Sequence, residues 1–133
     1  MKLTNGEIFD AQKPLGELAP QKMPVKISLA VLELKDLIKP IAGRVEELRN
    51  KLIREYGEDG IKGFGVWPEV LVPDPEHEGR SLQEPNPKWE PFVKDFGEVR
   101  AEEVELDFEP IALPESVELS PAALMALEKF VKI

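Results

Sequence analysis

The sequence predicts an α+β fold, in which a long kinked helix and two or three shorter helices pack on a small antiparallel sheet. Two patterns carry this prediction. Apolar residues recur every three or four positions between Leu34 and Tyr56, which is typical of one buried helix face. From Glu103 to Glu109, apolar and acidic residues alternate instead, which is typical of a half-buried strand.

The first predicted helix begins at a capping box. Thr4 is followed three residues later by Glu7, and at this spacing the two side chains can satisfy backbone N–H groups of the first turn. Pro14 and Gly16 are expected to kink or fray this helix. Its apolar residues recur at helical spacing at Ile8, Ala11, Leu15 and Leu18.

The long helix is predicted over residues 28–56. Pro40 lies inside it while the apolar pattern continues in phase, so we expect a kink near Asp36–Lys39 rather than a break. Gly57 is the expected C-terminal cap. The predicted buried face consists of Leu34, Leu37, Ile38, Ile41, Val45, Leu48, Leu52 and Tyr56.

The middle of the chain predicts short strands followed by a loop. Asp59–Gly60 is a hairpin-turn signal, and Ile61–Val72 is rich in β-prone apolar residues. Prolines then dominate, so residues 73–88 are predicted to form an exposed, stiff loop. We expect a single domain over residues 1–133.

The C-terminal third predicts a helix, a strand and a closing helix. Pro91–Phe96 could form a short helix that stops at Gly97, and Val104–Phe108 is the predicted strand. Ser120–Pro121 combines an N-cap residue with proline at the first helical position. The closing helix would bury Leu124, Leu127, Phe130 and Val131.

Composition excludes several classes of protein. The 26 acidic and 17 basic residues give a net charge of −9, which disfavours nucleic-acid binding. The chain has no cysteine and one histidine, so thiol chemistry and multi-histidine metal sites are excluded. Neither a membrane span nor a signal peptide is recognisable, so we expect a cytoplasmic protein with no membrane partner. Few amides, no cysteine and 13 prolines fit a thermophilic source.

No catalytic constellation stands out, and the sequence predicts a protein that is not an enzyme and needs no cofactor. The single imidazole, His77, lies in a loop rich in proline and glutamate rather than beside a nucleophile. The remaining enzymatic alternative is a carboxylate-bound Mg²⁺, for which Glu103, Glu105 and Asp107 share one strand face.

The aromatic residues around the proline-rich segment are the candidate partner-binding residues. Trp67, Trp89 and Phe92 could anchor a protein partner, since tryptophan is enriched in binding hot spots. The favoured alternative is that they form the core beneath the loop, because a small domain needs its aromatic residues there. Arg44 and Arg49 of the long helix are the candidate cationic contacts.

Four segments resemble a family of small uncharacterised phage and prophage proteins. They are Met23–Ser28, Leu37–Pro40, Glu47–Gly57 and Leu119–Phe130. The resemblance covers most of residues 5–57 and 99–131 and is lost between them, where this chain has prolines and tryptophans. It implies a bacteriophage origin rather than a mechanism, and the family offers no catalytic assignment to carry over.

We therefore predict a non-enzymatic bacteriophage protein that binds a host or phage protein, in the host cytoplasm or the virion. It would be a virion or assembly component, or an inhibitor of a host machine. The alternative is a phage protein that sequesters a nucleotide between cationic and aromatic side chains. An apolar helix face could also form a homo-oligomer. The nucleotide candidates are Arg44, Arg49, Trp67, Trp89 and Arg100.

Overall fold

A computed structural model describes residues 1–60 and 63–132 and has an α+β fold, as the sequence predicts. Helices and strands are mixed along the chain, and α2 is by far the longest element. The elements in order are β1 (Lys2–Thr4), α1 (Asn5–Leu18), α2 (Val25–Tyr56), β2 (Glu58–Gly60), β3 (Gly63–Gly65), β4 (Glu69–Pro73), β5 (Ser81–Pro85), α3 (Trp89–Ala101), β6 (Glu103–Glu105), β7 (Ile111–Ala112), α4 (Pro121–Ala126) and β8 (Val131–Lys132).

The chain divides into two compact units. Unit 1 comprises Met1–Glu46 and Arg100–Ile133, and unit 2 comprises Glu47–Val99. The N-terminal part of α2 therefore belongs to unit 1 and its C-terminal part to unit 2. The single domain expected over residues 1–133 stays a prediction.

The core of unit 1 is built from α1, the N-terminal part of α2 and the C-terminal segment. Helix α1 buries its apolar face completely, and Pro14 lies buried inside it without ending it. The opposing residues of α2 are buried at helical spacing. The largest fully buried side chains of the unit are Phe130, Leu3, Ile8, Leu15, Leu18, Ile38, Leu127, Val31 and Val45.

The buried face of α2 is narrower than the sequence predicts. Leu34, Ile38, Ile41 and Val45 are buried as expected, whereas Leu37 and Leu48 are 37% and 42% exposed. The helix is continuous across Pro40, and the kink near Asp36–Lys39 stays a prediction. Helix α2 ends at Tyr56, before Gly57, as predicted. A Cβ atom at position 57 would clash with the carbonyl oxygen of Ile53, so glycine is the residue that fits there.

In residues 1–60 and 63–132, four separate strand pairs replace the single predicted sheet. Strand β6 pairs antiparallel with β1, so the strand predicted over Val104–Phe108 shares no sheet with the described part of the 61–72 segment. Strands β7 and β8 pair in parallel within unit 1. The expectation of one sheet was wrong because strands of two or three residues, such as β1, show too little alternation to be assigned from sequence.

Two hairpins and helix α3 form much of unit 2. Strands β2 and β3 pair antiparallel, so Asp59 and Gly60 lie in a strand rather than a turn, and residues 61–62 lie outside the described residues. Strands β4 and β5 form the second hairpin. Of the loop predicted over residues 73–88, the segment Ser81–Pro85 is therefore a strand, although all five of its residues are exposed.

Helix α3 is longer than the sequence predicts. It begins at Trp89 and continues through Gly97 to Ala101, whereas the predicted helix stops at Gly97. A glycine inside a helix costs only about 1 kcal/mol relative to alanine, which the hydrogen bonds of the following turn can offset. Helix α4 begins at the predicted N-cap, where the Ser120 hydroxyl accepts a hydrogen bond from the Ala123 N–H.

The structure confirms the capping box at the start of α1, and removal of the cap is expected to lower the stability of the protein. Thr4 Oγ1 accepts from the Glu7 N–H at 3.1 Å, Glu7 Oε1 accepts from the Thr4 N–H at 2.9 Å, and Lys129 Nζ lies 2.6 Å from Glu7 Oε2. We expect Thr4→Ala to lower the free energy of unfolding by about 1 kcal/mol, as measured by denaturant titration. Ser120→Ala, which removes the α4 cap, is the matched comparison.

The stability that Glu7 of the capping box contributes is expected to depend on pH. The Lys129 ammonium, followed by the Thr4 N–H, lowers the pKa of Glu7 below its ordinary 4.5 in the folded protein. Near that pH the unfolded chain therefore binds more protons, so the Glu7 contribution is complete above about pH 4.5 and is lost as the pH falls through the lowered value. We expect Glu7→Gln to destabilise the protein at about pH 7, and the difference from the native protein to shrink as the pH falls below about 4.5. A difference that stays constant as the protein is acidified would contradict this.

Candidate functional site

The predicted aromatic residues of unit 2 form a packed cluster rather than an open patch. Phe92 is 9% exposed and lies at the centre, with ring-centroid distances of 6.0 Å to Trp89, 6.0 Å to Phe96 and 6.5 Å to Tyr56. The Tyr56 hydroxyl donates to Asp95 Oδ2 at 2.6 Å, and this bond raises the pKa of Tyr56 to about 12. The geometry favours a structural role for Trp89 and Phe92.

Trp67 is tied to the start of α3 through a buried asparagine. Asn86 is 6% exposed, and its Nδ2 donates to the carbonyl oxygen of Trp67 at 2.8 Å. Its Oδ1 accepts from the Lys88 N–H at 3.0 Å, and its carbonyl oxygen accepts from the Trp89 N–H at 3.0 Å. Asn86 thus links the two tryptophans, a connection that the sequence did not reveal.

The predicted cationic residues are divided between the two units. Arg44 is exposed in unit 1, and Arg49 is half-buried in unit 2. Arg100 is held by Asp10 of unit 1 through two hydrogen bonds of 3.1 and 2.7 Å, which raise its pKa. Its guanidinium also lies against Gly6. Arg100 is therefore an internal ion-pair partner and a poor candidate for binding phosphate.

The three carboxylates predicted as alternative Mg²⁺ ligands do not form a metal site in the described part of the chain. Strand β6 ends at Glu105, so Asp107 lies outside the strand on which the shared face was predicted. The N-terminal ammonium lies 2.8 Å from Glu105 Oε1 and lowers the pKa of that carboxyl. In residues 1–60 and 63–132, no three metal-ligating side chains come close enough to hold an ion.

Unit 1 instead presents a cleft between α2 and the segment that follows β6, which we call the acidic cleft. Its volume is about 410 Å³. The apolar side chains of α2 and the following segment line it, and three carboxylates lie among them. The lining residues are Ala30, Glu33, Leu34, Leu37, Asp107, Phe108, Glu109 and Ile111.

Sequence periodicity explains how both walls of the acidic cleft form. On α2, residues 30, 33, 34 and 37 share one helix face, which borders the buried face. On the other wall, Phe108 points inward because its ring stacks on Phe130, with centroids 5.5 Å apart and planes 11° apart. Ile111 is fixed by its N–H, which donates to the Phe130 carbonyl oxygen at 2.9 Å. The alternation then leaves Asp107 and Glu109 exposed.

The charge of the acidic cleft is uncompensated in the described part of the chain. Glu33, Asp107 and Glu109 are all exposed, and none of the ion pairs between described residues includes them. Leu37 adds an exposed apolar side chain to the same wall. The cleft therefore combines an apolar floor with a negative rim, which suits a ligand that is both apolar and cationic.

A second, smaller cleft in unit 1 lies between α1 and α2. Its volume is about 240 Å³, and Lys35 and Lys39 lie one helical turn apart on its wall. Asp36 also lines it, which reduces its attraction for an anion. The residues are Gln12, Lys35, Asp36, Ile38 and Lys39.

The sequence does not identify most of the acidic cleft. It suggests Asp107 as a metal ligand and places Leu37 on the buried face of α2. Glu33, Phe108 and Glu109 are visible in the sequence only as parts of periodic patterns. The alternation from Glu103 to Glu109 was the available signal, but it does not say which helix face lies opposite the strand.

Comparison with protein-family models, with curated proteins and with solved structures finds no significant match for the chain. The resemblance to phage proteins therefore stays a prediction. Within the described residues, no helix has both the length and the apolar character that a bilayer crossing requires.

Proposed function

We propose that this chain is a non-enzymatic bacteriophage protein that acts by binding another protein through the acidic cleft. The observation that carries the proposal is a cleft with an apolar lining, in which Leu37 is exposed, and three carboxylates that lack ion-pair partners among the described residues. The partner segment would be basic and amphipathic. Its apolar side chain would enter the cleft while neighbouring lysines or arginines meet the rim.

The size of the acidic cleft supports a small anchor rather than a large ligand. At about 410 Å³ it is near the lower end of ligand pockets, which are typically about 300–1,000 Å³. One or two apolar side chains of a partner would fill it. The net charge of −9 would also steer a basic partner towards the surface.

The sequence resemblance supports the phage origin and, with it, the class of partner. We propose a host or phage protein, met in the host cytoplasm or in the virion. Either a host machine that is inhibited or a structural component that is assembled would suit the acidic cleft, provided that it presents a basic segment such as one that contacts nucleic acid.

Reversal of the rim charges tests the proposal. We expect Asp107→Lys with Glu109→Lys to reduce capture of the partner from infected cells by about tenfold or more, equivalent to a loss of about 1.4 kcal/mol or more. Both side chains are exposed, so the variant should keep its fold. Capture by the native protein should weaken as salt is raised, because exposed charges are screened.

A matched control carries the same change in charge on unit 2. Glu76→Lys with Glu84→Lys reverses two exposed carboxylates of the β4–β5 hairpin and should leave capture unchanged. Equal loss with both variants would indicate non-specific charge attraction and would refute the proposed site. Recovery of the chain alone would favour the nucleotide-binding alternative, for which Lys35 and Lys39 of the second cleft are now better placed than Arg100.

A further inference from the structure

An apolar stripe on the outer face of α2 is not used by the core or by the acidic cleft. It consists of Val25, Leu29 and Leu32, which are 84%, 54% and 48% exposed. Their spacing of four and then three residues places them in one row along the helix. Surface helices normally carry polar residues on this side.

The stripe lies opposite the buried face of the same helix. Val25 precedes the buried Leu34 by nine residues, which at about 100° per residue amounts to two and a half turns. Leu32 precedes Leu34 by two residues, or about 200°. The stripe is therefore directed away from the core of unit 1, and folding of that unit leaves it exposed.

Opposite charges border the stripe along one edge. Lys26 and Glu33 are both exposed and lie seven residues apart, which is two helical turns, so they share that edge. An antiparallel copy of the helix that sets Leu29 against Leu32 of the second copy brings Lys26 opposite Glu33 of the second copy. The two-fold symmetry makes this ion pair twice.

We propose that α2 forms an antiparallel homodimer through Val25, Leu29 and Leu32, with Lys26 and Glu33 pairing between copies. The charge pattern selects the direction. In a parallel pairing Glu33 would face Ser28 of the second copy, which offers no charge. In this antiparallel register Leu29 meets Leu32 of the second copy and Val25 meets the exposed Asp36, so the apolar contact is confined to the two Leu29–Leu32 layers and the Lys26–Glu33 pairs select the orientation.

The dimer is expected to be weak and reversible. One short helix face buries less than the roughly 1,600 Å² of a standard interface, so we expect dissociation in the micromolar range. The acidic cleft lies on a neighbouring face, with Glu33 at the shared border. The variant that reverses the rim charges therefore changes Asp107 and Glu109 and leaves Glu33 unchanged. The two proposals are thus tested separately, and refuting one does not refute the other.

Sedimentation velocity from roughly 5 to 200 µM tests the proposal. We expect the native protein to shift towards twice the monomer mass as concentration rises. Leu29→Glu with Leu32→Glu should keep it monomeric, whereas Met125→Glu, which changes a residue that is 77% exposed outside the stripe, should not.

Exchanging the charges of Lys26 and Glu33 distinguishes the proposed antiparallel dimer from a dimer formed through another surface or in another orientation. Lys26→Glu alone and Glu33→Lys alone should each weaken dimerisation by about tenfold, because each sets like charges opposite one another. The double variant Lys26→Glu with Glu33→Lys should restore it. A monomer at every concentration, or a double variant no better than the singles, would overturn the antiparallel dimer.

Discussion

Replacement of Phe130 by alanine is expected to lower the free energy of unfolding by about 3–5 kcal/mol, the range for loss of a buried phenylalanine. Phe130 is 1% exposed and stacks on Phe108, so its removal leaves a cavity and frees one wall of the acidic cleft. Denaturant titration followed by circular dichroism measures the change.

The matched control for Phe130 is a large apolar residue on the surface of the same segment. Met125→Ala removes a side chain that is 77% exposed and should change stability by less than about 0.5 kcal/mol. A loss below about 1 kcal/mol for Phe130→Ala would show that the ring is not part of a packed core. The stacking that shapes the acidic cleft would then be refuted as well.

Replacement of Asn86 by alanine is expected to lower the free energy of unfolding of unit 2 by about 1–3 kcal/mol, because a hydrogen bond contributes about 0.5–1.5 kcal/mol. The Asn86 side chain makes two such bonds, donating to the Trp67 carbonyl oxygen and accepting from the Lys88 N–H. Both tryptophans of the chain lie in unit 2, so tryptophan fluorescence during denaturant titration reports the loss locally.

An exposed amide in the same unit provides the comparison for Asn86. Gln83 is exposed on β5, and Gln83→Ala should leave the fluorescence transition within about 0.5 kcal/mol of the native one. Equal transitions for Asn86→Ala and Gln83→Ala would contradict the role of Asn86 as the link between Trp67 and α3.

The periodic parts of the fold could be predicted from the sequence, because a long pattern leaves one interpretation. The end of α2 before Gly57 and the N-caps Thr4 and Ser120 follow from local chemistry that needs no tertiary contact. The extent of α3 could not be predicted, since Gly97 signals a stop that the rest of the helix overrides.

The strand pairing and the acidic cleft could not be predicted from the sequence, because both depend on contacts between distant positions of the chain. Strand β1 has three residues and pairs with β6, about one hundred positions away, so no local signal connects them. The rim likewise joins Glu33 to Asp107 across the chain. The sequence did reveal the aromatic residues, but it could not decide between core and surface, and the packing around Phe92 favours the core.

Locating the binding site of a basic amphipathic segment on this protein tests the proposed function most directly. A synthetic helical peptide of lysine and leucine serves as the probe, and amide chemical shifts are followed by NMR during titration. We expect saturable changes centred on residues 30–37 and 107–111, lost in the variant Asp107→Lys with Glu109→Lys. Changes spread over the whole acidic surface, or centred on residues 89–96, would contradict the proposal that the acidic cleft is the binding site.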